Sequence, residues 1–412
     1  MKNIFFLLLL LAIFPKVFAQ HSSCDGNRYK NYAFTAVDST IGVQYGHNFT
    51  MNGVSQNLLL DIYQPMADTV TKRPLIIYIH GGGFVQGTRQ EGLGFCLVFA
   101  YKGFVTATID YRLIDTPLVS ADSTTIATGL IHAISDAKAA IRFFVEDAAT
   151  TNVYRIDTNN IFVAGGSAGA ITAAQVAYLN PTDIIPAYFL NLMAINGGFS
   201  GNSSTNTSYT TPIKGVVNYS GAMWRKEWMS AGEPAIFSAH DNLDTIVPCN
   251  HGLSKAFYPT YTFPLYLDGS CAMQQEADLK GIYNQIFINN SSGHGAFLQS
   301  SPLIDTVLQK TSDFLYNIIC ANILSANDVG NSEKLFQIFP NPARETLNIE
   351  IPFEIKNATI IIYNELGQIV KRDLKINSHS LSIGVSDLKS GLYIVVFQND
   401  NRQVHKKFTV AH

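Results

Sequence analysis

At 412 residues, with 47% hydrophobic and 14% charged residues, the chain has material for a substantial core and length for two domains. A formal net charge of −3 carries no basic footprint, so nucleic acid is not an expected partner and no strongly charged substrate is implied. Cys24, Cys96, Cys249, Cys271 and Cys320 are odd in number and contain no C-x-x-C, which excludes the usual zinc spacings and leaves at least one thiol without an internal partner.

The chain opens on a secretory pattern. Lys2 supplies the positive end, Phe5 to Phe14 is an apolar run too short to span a bilayer, and Val17-Phe18-Ala19 offers a cleavage site. Residues 1–19 are therefore expected to be a signal peptide, and no later segment reads as a transmembrane anchor. From about Leu58 to Ile318, short apolar runs alternate with helix-period stretches. Leu75 to Ile79, Val105 to Ile109, Ile161 to Val163, Gly215 to Tyr219, Ala235 to Ser238 and Gln285 to Ile288 read as buried strands. Ile131 to Val145 and Ala168 to Tyr178 read as helices. Such alternation predicts an α/β fold, a mostly parallel sheet flanked by helices, with its site at the carboxyl ends of the strands.

Asn180 to Thr211 interrupts that rhythm and reads either as a lid over the substrate or as a plain surface loop. Trp224, just past a strand, either walls a pocket or packs in the core. Cys249 and Cys271 bracket a short segment and are expected to be bridged. Beyond Cys320 the character changes. A small polar stretch, residues 325–334, predicts a linker between a catalytic domain at 20–324 and a module at 335–412. In that module Leu347 to Ile351, Thr359 to Tyr363, Leu381 to Ile383 and Leu392 to Phe397 are strand-like, predicting a small all-β sandwich.

The chemistry concentrates in four places. Gly165-Gly166-Ser167-Ala168-Gly169 stands between a strand and a helix, where a sharp turn exposes a serine hydroxyl and side chains on either flank would clash. His80-Gly81-Gly82-Gly83-Phe84 follows another strand; Gly82, Gly83 and Ala168 can turn their N–H groups toward an oxyanion. His80 precedes the serine, the wrong order for a base in this arrangement, and is expected to orient the glycine loop. Of the later histidines, His294 lies in a loop after a strand and is the expected base; His251 sits too close to the candidate acids to face them from a separate loop. Asp241 and Asp244, in the loop after Ala235 to Ser238, both remain open as the acid.

These motifs, with Leu60-Asp61-Ile62-Tyr63-x-Pro65 and Asp110-Tyr111-Arg112, resemble bacterial carboxylesterases of the α/β-hydrolase fold, in particular the hormone-sensitive-lipase-like and feruloyl/acetyl-esterase-like branches. The resemblance covers about Asn57 to Ile318. Its acid loop, His-Gly-x-x-Asp-x-x-Val-Pro, maps onto His240 to Pro248 and implies Asp244 as the acid, although Asp241 replaces the glycine of the pattern. Gly166 also stands where relatives often carry an acidic residue. In the tail, Phe339-Pro340-Asn341-Pro342-Ala343, Tyr363-Asn364-Glu365-Leu366-Gly367, Leu388-x-x-Gly391-Leu392-Tyr393 and Lys406-Lys407-Phe408 resemble the sorting domain of type IX secretion. The resemblances imply a secreted or surface serine esterase working through Ser167, His294 and Asp244, needing neither metal nor organic cofactor, with an ester substrate and the type IX machinery as partners. A serine peptidase of the same fold and a non-catalytic surface-binding protein are the rival readings.

Overall fold

Runs of Ile, Val and Leu bounded by glycine and proline become strands wherever both sheet faces are covered, and most of this chain's sheet is of that kind. The structure, a computed structural model, describes residues 24–117, 121–255, 265–326, 337–350, 358–364, 368–376, 380–399 and 402–412. The expected signal peptide and all but the first two residues of the expected linker lie outside them. The chain divides into two compact units, Met1–Ile319 and Cys320–His412.

In the first unit the elements run β1 (Val37–Phe49), β2 (Ser55–Pro65), β3 (Arg73–Ile79), α1 (Leu93–Tyr101), β4 (Val105–Ile109), α2 (Ser123–Ala149), β5 (Ile156–Gly166) and α3 (Ala168–Tyr178). There follow α4 (Ala187–Ile195), β6 (Gly215–Tyr219), β7 (Ala222–Met223), β8 (Ala235–Asp241), β9 (His251–Leu253), β10 (Tyr266–Gly269), α5 (Ser270–Lys280), β11 (Asn284–Asn289) and α6 (Ser301–Ala326). Eight strands join in the order β1-β2-β4-β3-β5-β6-β8-β11. The pairs from β4 to β11 are parallel, while β1 and β2 are antiparallel additions at one edge. Leu75, Ile77, Ile79, Val105, Ala107, Ile109, Ile161 and Val163 are fully buried between sheet and helices. Each Leu, Ile or Val among them contributes roughly 1.5–3 kcal/mol relative to exposure.

Helix α2 starts on a reciprocal cap: Thr125 N–H donates to Asp122 Oδ1 (2.8 Å), and Thr125 answers the Asp122 N–H. Strands β7, β10 and β9 form a small antiparallel sheet from segments that leave the carboxyl ends of β6 and β8. Helix α6 continues to Ala326, two residues into the stretch expected to be a linker.

The second unit holds β12 (Gln337–Phe339), β13 (Thr346–Glu350), β14 (Ala358–Asn364), β15 (Ile369–Ile376), β16 (Ser380–Gly384), β17 (Gly391–Asn399) and β18 (Arg402–Val410). They make a three-stranded sheet, β12-β13-β16, and a four-stranded one, β15-β14-β17-β18. Leu347, Ile349 and Ile383 from the first meet Ile360, Ile362, Val395, Phe397 and Phe408 from the second in one core. That is a β-sandwich.

Candidate active site

Ser167 is where β5 breaks into α3, with φ 53° and ψ −121°. A non-glycine residue there costs on the order of 1–3 kcal/mol, so its surroundings must fix it. They do: the Ser167 N–H donates to the Tyr219 carbonyl of β6 (2.8 Å), and its own carbonyl accepts the Ile171 N–H in the first helical turn (2.9 Å). Gly169 allows α3 to lie against β3, since a side chain there would collide with the Ile79 and His80 carbonyls. The half-buried hydroxyl therefore projects at a helix N-terminus, beside the uncommitted Ala168 N–H end of the helix.

The loops after β8 and β11 bring the expected partners to it. His294 Nε2 lies 2.8 Å from Ser167 Oγ, and His294 Nδ1 lies 2.6 Å from Asp244 Oδ2. A carboxylate only accepts, so Nδ1 carries the proton and Nε2 is left to accept from the hydroxyl. Asp244, buried, takes two further bonds on Oδ1 from the N–H groups of Ile246 (2.8 Å) and Val247 (3.1 Å). This arrangement can draw a proton from Ser167 and hold the resulting imidazolium.

Asp241, the other aspartate left open, does not meet the imidazole. It accepts from the Ala296 N–H (2.8 Å) and from Asn289 Nδ2 (2.5 Å), so it ties down the loop that carries His294. His251 bonds Asp268 (2.8 Å), away from this line.

His240 is a contributor that the sequence reading passed over. It is fully buried; its Nε2–H donates to the Val247 carbonyl (2.8 Å) and its Nδ1 accepts from Ser270 Oγ (2.7 Å), while Nε2 stands 3.6 Å from Asp244 Oδ2. Burial holds its pKa below the usual imidazole range, which keeps it neutral beneath the carboxylate. The four-residue spacing of His240 and Asp244 was the available signal. Cys249 and Cys271 form a disulfide just beyond, closing the acid loop onto the start of α5.

On the opposite side lies the glycine loop. Gly82, Gly83 and Phe84 take successive positive φ values of 95°, 62° and 67°. At Gly82 a side chain would run into the Gln86 carbonyl. Its carbonyl accepts from Val85 and Gln86 (both 3.1 Å), whereas the Gly82 and Gly83 N–H groups have no hydrogen-bond acceptor among the described residues. Gly81 packs against Gly166 and Ser167, which sets this loop over the elbow. His80 braces it: Nδ1–H donates to the Gly81 carbonyl (2.8 Å) and the ring stacks on Tyr111 at 4.3 Å, whose hydroxyl donates to that same carbonyl (3.1 Å). Its neighbours complete the motif, Asp110 pairing with Arg89 and Arg112 with buried Asp136.

The insertion from Asn180 is hydrogen-bonded to α2 and Arg112 along residues 196–203. His132 bonds Asn196 (2.9 Å), Lys138 the Phe199 carbonyl (2.7 Å), Arg142 the Ser200 carbonyl (2.8 Å), and Ser135 and Arg112 both reach Ser203 (2.9 and 3.0 Å). Trp224 is half-buried, its ring 5.5 Å from Phe189 of α4.

Among known proteins, residues 60–231 match the BD-FAE family and residues 337–411 the secretion system C-terminal sorting domain. The chain is 32% identical to Esterase LipI of Mycobacterium tuberculosis over 28% of its own length and 32% of that protein's. It is 28% identical to Probable carboxylesterase 6 of Arabidopsis thaliana over 37% of this chain and 45% of that one. It is 30% identical to Funoran endo-beta-hydrolase of Wenyingzhuangia aestuarii over 30% of this chain and 17% of that one. The chain thus spans less than half the length of these curated relatives. Among solved structures, esterase 2 of Thermogutta terrifontis superimposes with a TM-score of 0.47 at 19% identity, covering 68% of this chain and 94% of that one.

Proposed function

From a chain that joins a BD-FAE domain, of the α/β-hydrolase fold, to a sorting domain that sends it to the cell surface or outside, we propose a serine carboxylesterase. The observation that carries this reading is the hydrogen-bonded line Asp244–His294–Ser167 ending on a positive-φ strand-to-helix turn. Ser167 Oγ attacks the ester carbonyl carbon as its proton passes to His294 Nε2. The carbonyl electron pair becomes an oxyanion received by the N–H groups of Gly82, Gly83 and Ala168. Collapse expels the alcohol, which takes its proton from His294 and leaves the acyl group on Ser167. Water then gives a proton to His294 and attacks the acyl carbon; the acid leaves and Ser167 recovers its proton. Asp244 keeps Nδ1 protonated and stabilises the imidazolium at both stages. The tail, in this reading, serves export through the type IX machinery and takes no part in the chemistry.

A fluorophosphonate tests the reading, because it is attacked only by an activated serine and stays attached. One adduct is expected per chain, mapped to the peptide holding Ser167 and lost in His294→Ala. A folded chain that stays unlabelled there contradicts the assignment.

A further inference from the structure

The end of the sheet away from Ser167 carries a surplus of buried positive charge. Arg73 opens β3 and lies in register with Ile156 at the start of β5, and its backbone N–H donates to the Arg155 carbonyl (2.8 Å). These are the amino ends of two parallel strands, whereas Ser167 stands at a carboxyl end. Arg28, from the segment before β1, joins them, and Asp68, between β2 and β3, meets all three arginines.

One carboxylate does not satisfy the three. Arg28 Nη1 and Nη2 donate to the two oxygens of Asp68 (2.9 and 2.7 Å), and the Val70 N–H adds to Oδ1 (3.1 Å). Arg155 Nη2 donates to the Asp68 carbonyl (2.9 Å), and Arg73 Nη1 stays 4.0 Å from Asp68 Oδ2. Asp157 is turned elsewhere, accepting from the Asn159 N–H (3.1 Å) and Asn160 Nδ2 (2.7 Å). Arg73 is 1% exposed. Its Nη2 donates to neutral oxygens, Gln64 Oε1 (2.8 Å) and the Tyr154 carbonyl. Its Nε and Nη1, like Arg28 Nε, are closed to solvent and have no hydrogen-bond partner among the described residues. Burial, then the neighbouring Arg155 charge, pulls the Arg73 pKa down to about 10, which leaves it ionised at neutral pH. The backbone here is strained as well: Tyr29, Ala67 and Arg155 take φ values of 72°, 58° and 51°. Such residues persist where their surroundings fix them, as Phe84 and Ser167 do at the candidate active site.

A buried cation with unmet donors is costly unless a counter-charge meets it. Water would accept from one of the free N–H groups but leave the surplus charge in place. A phosphate or sulfate needs donors around a tetrahedron and a way in from solvent, which a side chain 1% exposed does not offer. A single-atom anion accepts from N–H groups in any direction and can be taken up as the chain folds. We propose that Arg73, with Arg28 and Arg155, holds a monovalent anion of the halide class, a structural counter-ion joining the segment before β1 to the starts of β3 and β5. This site lies apart from Ser167 and does not depend on the reaction there. An anion bound by the folded chain alone stabilises it in proportion to the logarithm of its concentration once the site is saturated.

The test compares melting curves of the full chain in sodium chloride and in sodium gluconate, whose anion is too large for the site, at equal ionic strength. Replacing gluconate by chloride from about 1 to 100 mM should raise the melting temperature by about 3 °C or more. Sodium bromide should act alike, and crystals grown in it should show a strong anomalous peak within hydrogen-bonding reach of Arg73. Arg73→Met should abolish the chloride response, and Arg155→Gln, at a half-buried position, should cut it at least in half. Should Arg73→Met fail to fold, Arg155→Gln and the bromide map decide. The proposal is overturned if chloride and gluconate give the same curves, or if the chloride response is unchanged in folded Arg155→Gln. Bromide found at exposed side chains and not beside Arg73 would be an adventitious ion only, and would overturn it equally.

Discussion

The two sides of the candidate site are built from different materials. The elbow and the glycine loop are backbone: Ser167, Gly82, Gly83 and Phe84 at positive φ, with Gly169 pressed on the β3 carbonyls. The acid and base loops are held by side chains: Asp241 on Ala296, His240 under Asp244, a disulfide beyond. At Gly82 and Gly169, geometry of the first kind leaves no room for a side chain. Geometry of the second kind fails selectively, according to which atom donates and which accepts. The fastened insertion belongs to the second kind, since α2 holds it through His132, Ser135, Lys138 and Arg142.

The two aspartates give the sharpest break between these materials. Asp244→Asn would present an amide to His294 Nδ1 and favour the wrong tautomer, so kcat on a nitrophenyl ester should fall about ten-thousandfold with the fold intact. Asp241→Asn should cost far less in kcat and show mainly as lower stability in urea, by roughly 1–3 kcal/mol, from a weakened bond to Ala296. A larger kcat loss in folded Asp241→Asn than in Asp244→Asn would reverse their roles.

His132 tests the insertion's anchorage through pH. Burial, then the nearby Arg112 charge, lowers its pKa to about 4 from an ordinary 6.5. The unfolded chain therefore binds a proton that the folded chain refuses between those values. Its contribution is present in full above pH 6.5 and is lost as pH falls through 4, up to about 3 kcal/mol. His132→Gln, which keeps a donor for Asn196, should flatten the decline in urea stability between pH 6.5 and 4. An unchanged slope would place that proton uptake elsewhere.

Glycine substitutions gauge the backbone side. Gly169→Ala should destabilise by roughly 1–3 kcal/mol, through overpacking against Ile79. Gly94→Ala, on α1 with open space around it, should stabilise by up to about 1 kcal/mol. Equal effects at the two positions would remove the steric argument for the elbow.

Much of this was legible from residues. Val105–Ile109, Gly215–Tyr219 and Ala168–Tyr178 were readable to the residue because each is an apolar or small-residue run closed by glycine or a turn. Strands β1 and β2 were not: β1 is mostly exposed, shifts register twice along β2, and so lacks a steady alternation. Helix α1 was hidden because its sequence is apolar on every side. Between Asp241 and Asp244, residue type alone decided nothing, since both are buried carboxylates accepting backbone N–H groups. The insertion's attachment was written on α2 rather than on itself, as a polar stripe at 132, 135, 138 and 142, spaced three or four residues apart.

The most direct measurement is the turnover of Ser167→Ala on a simple nitrophenyl ester, beside its melting curve. The hydroxyl is the atom through which the proposed reaction passes, and removing it leaves the loops around it in place. A folded variant with kcat lowered at least about ten-thousandfold is the predicted result. A folded variant that keeps more than about one per cent of the activity would contradict the account, because the ester would then be opened by some other group.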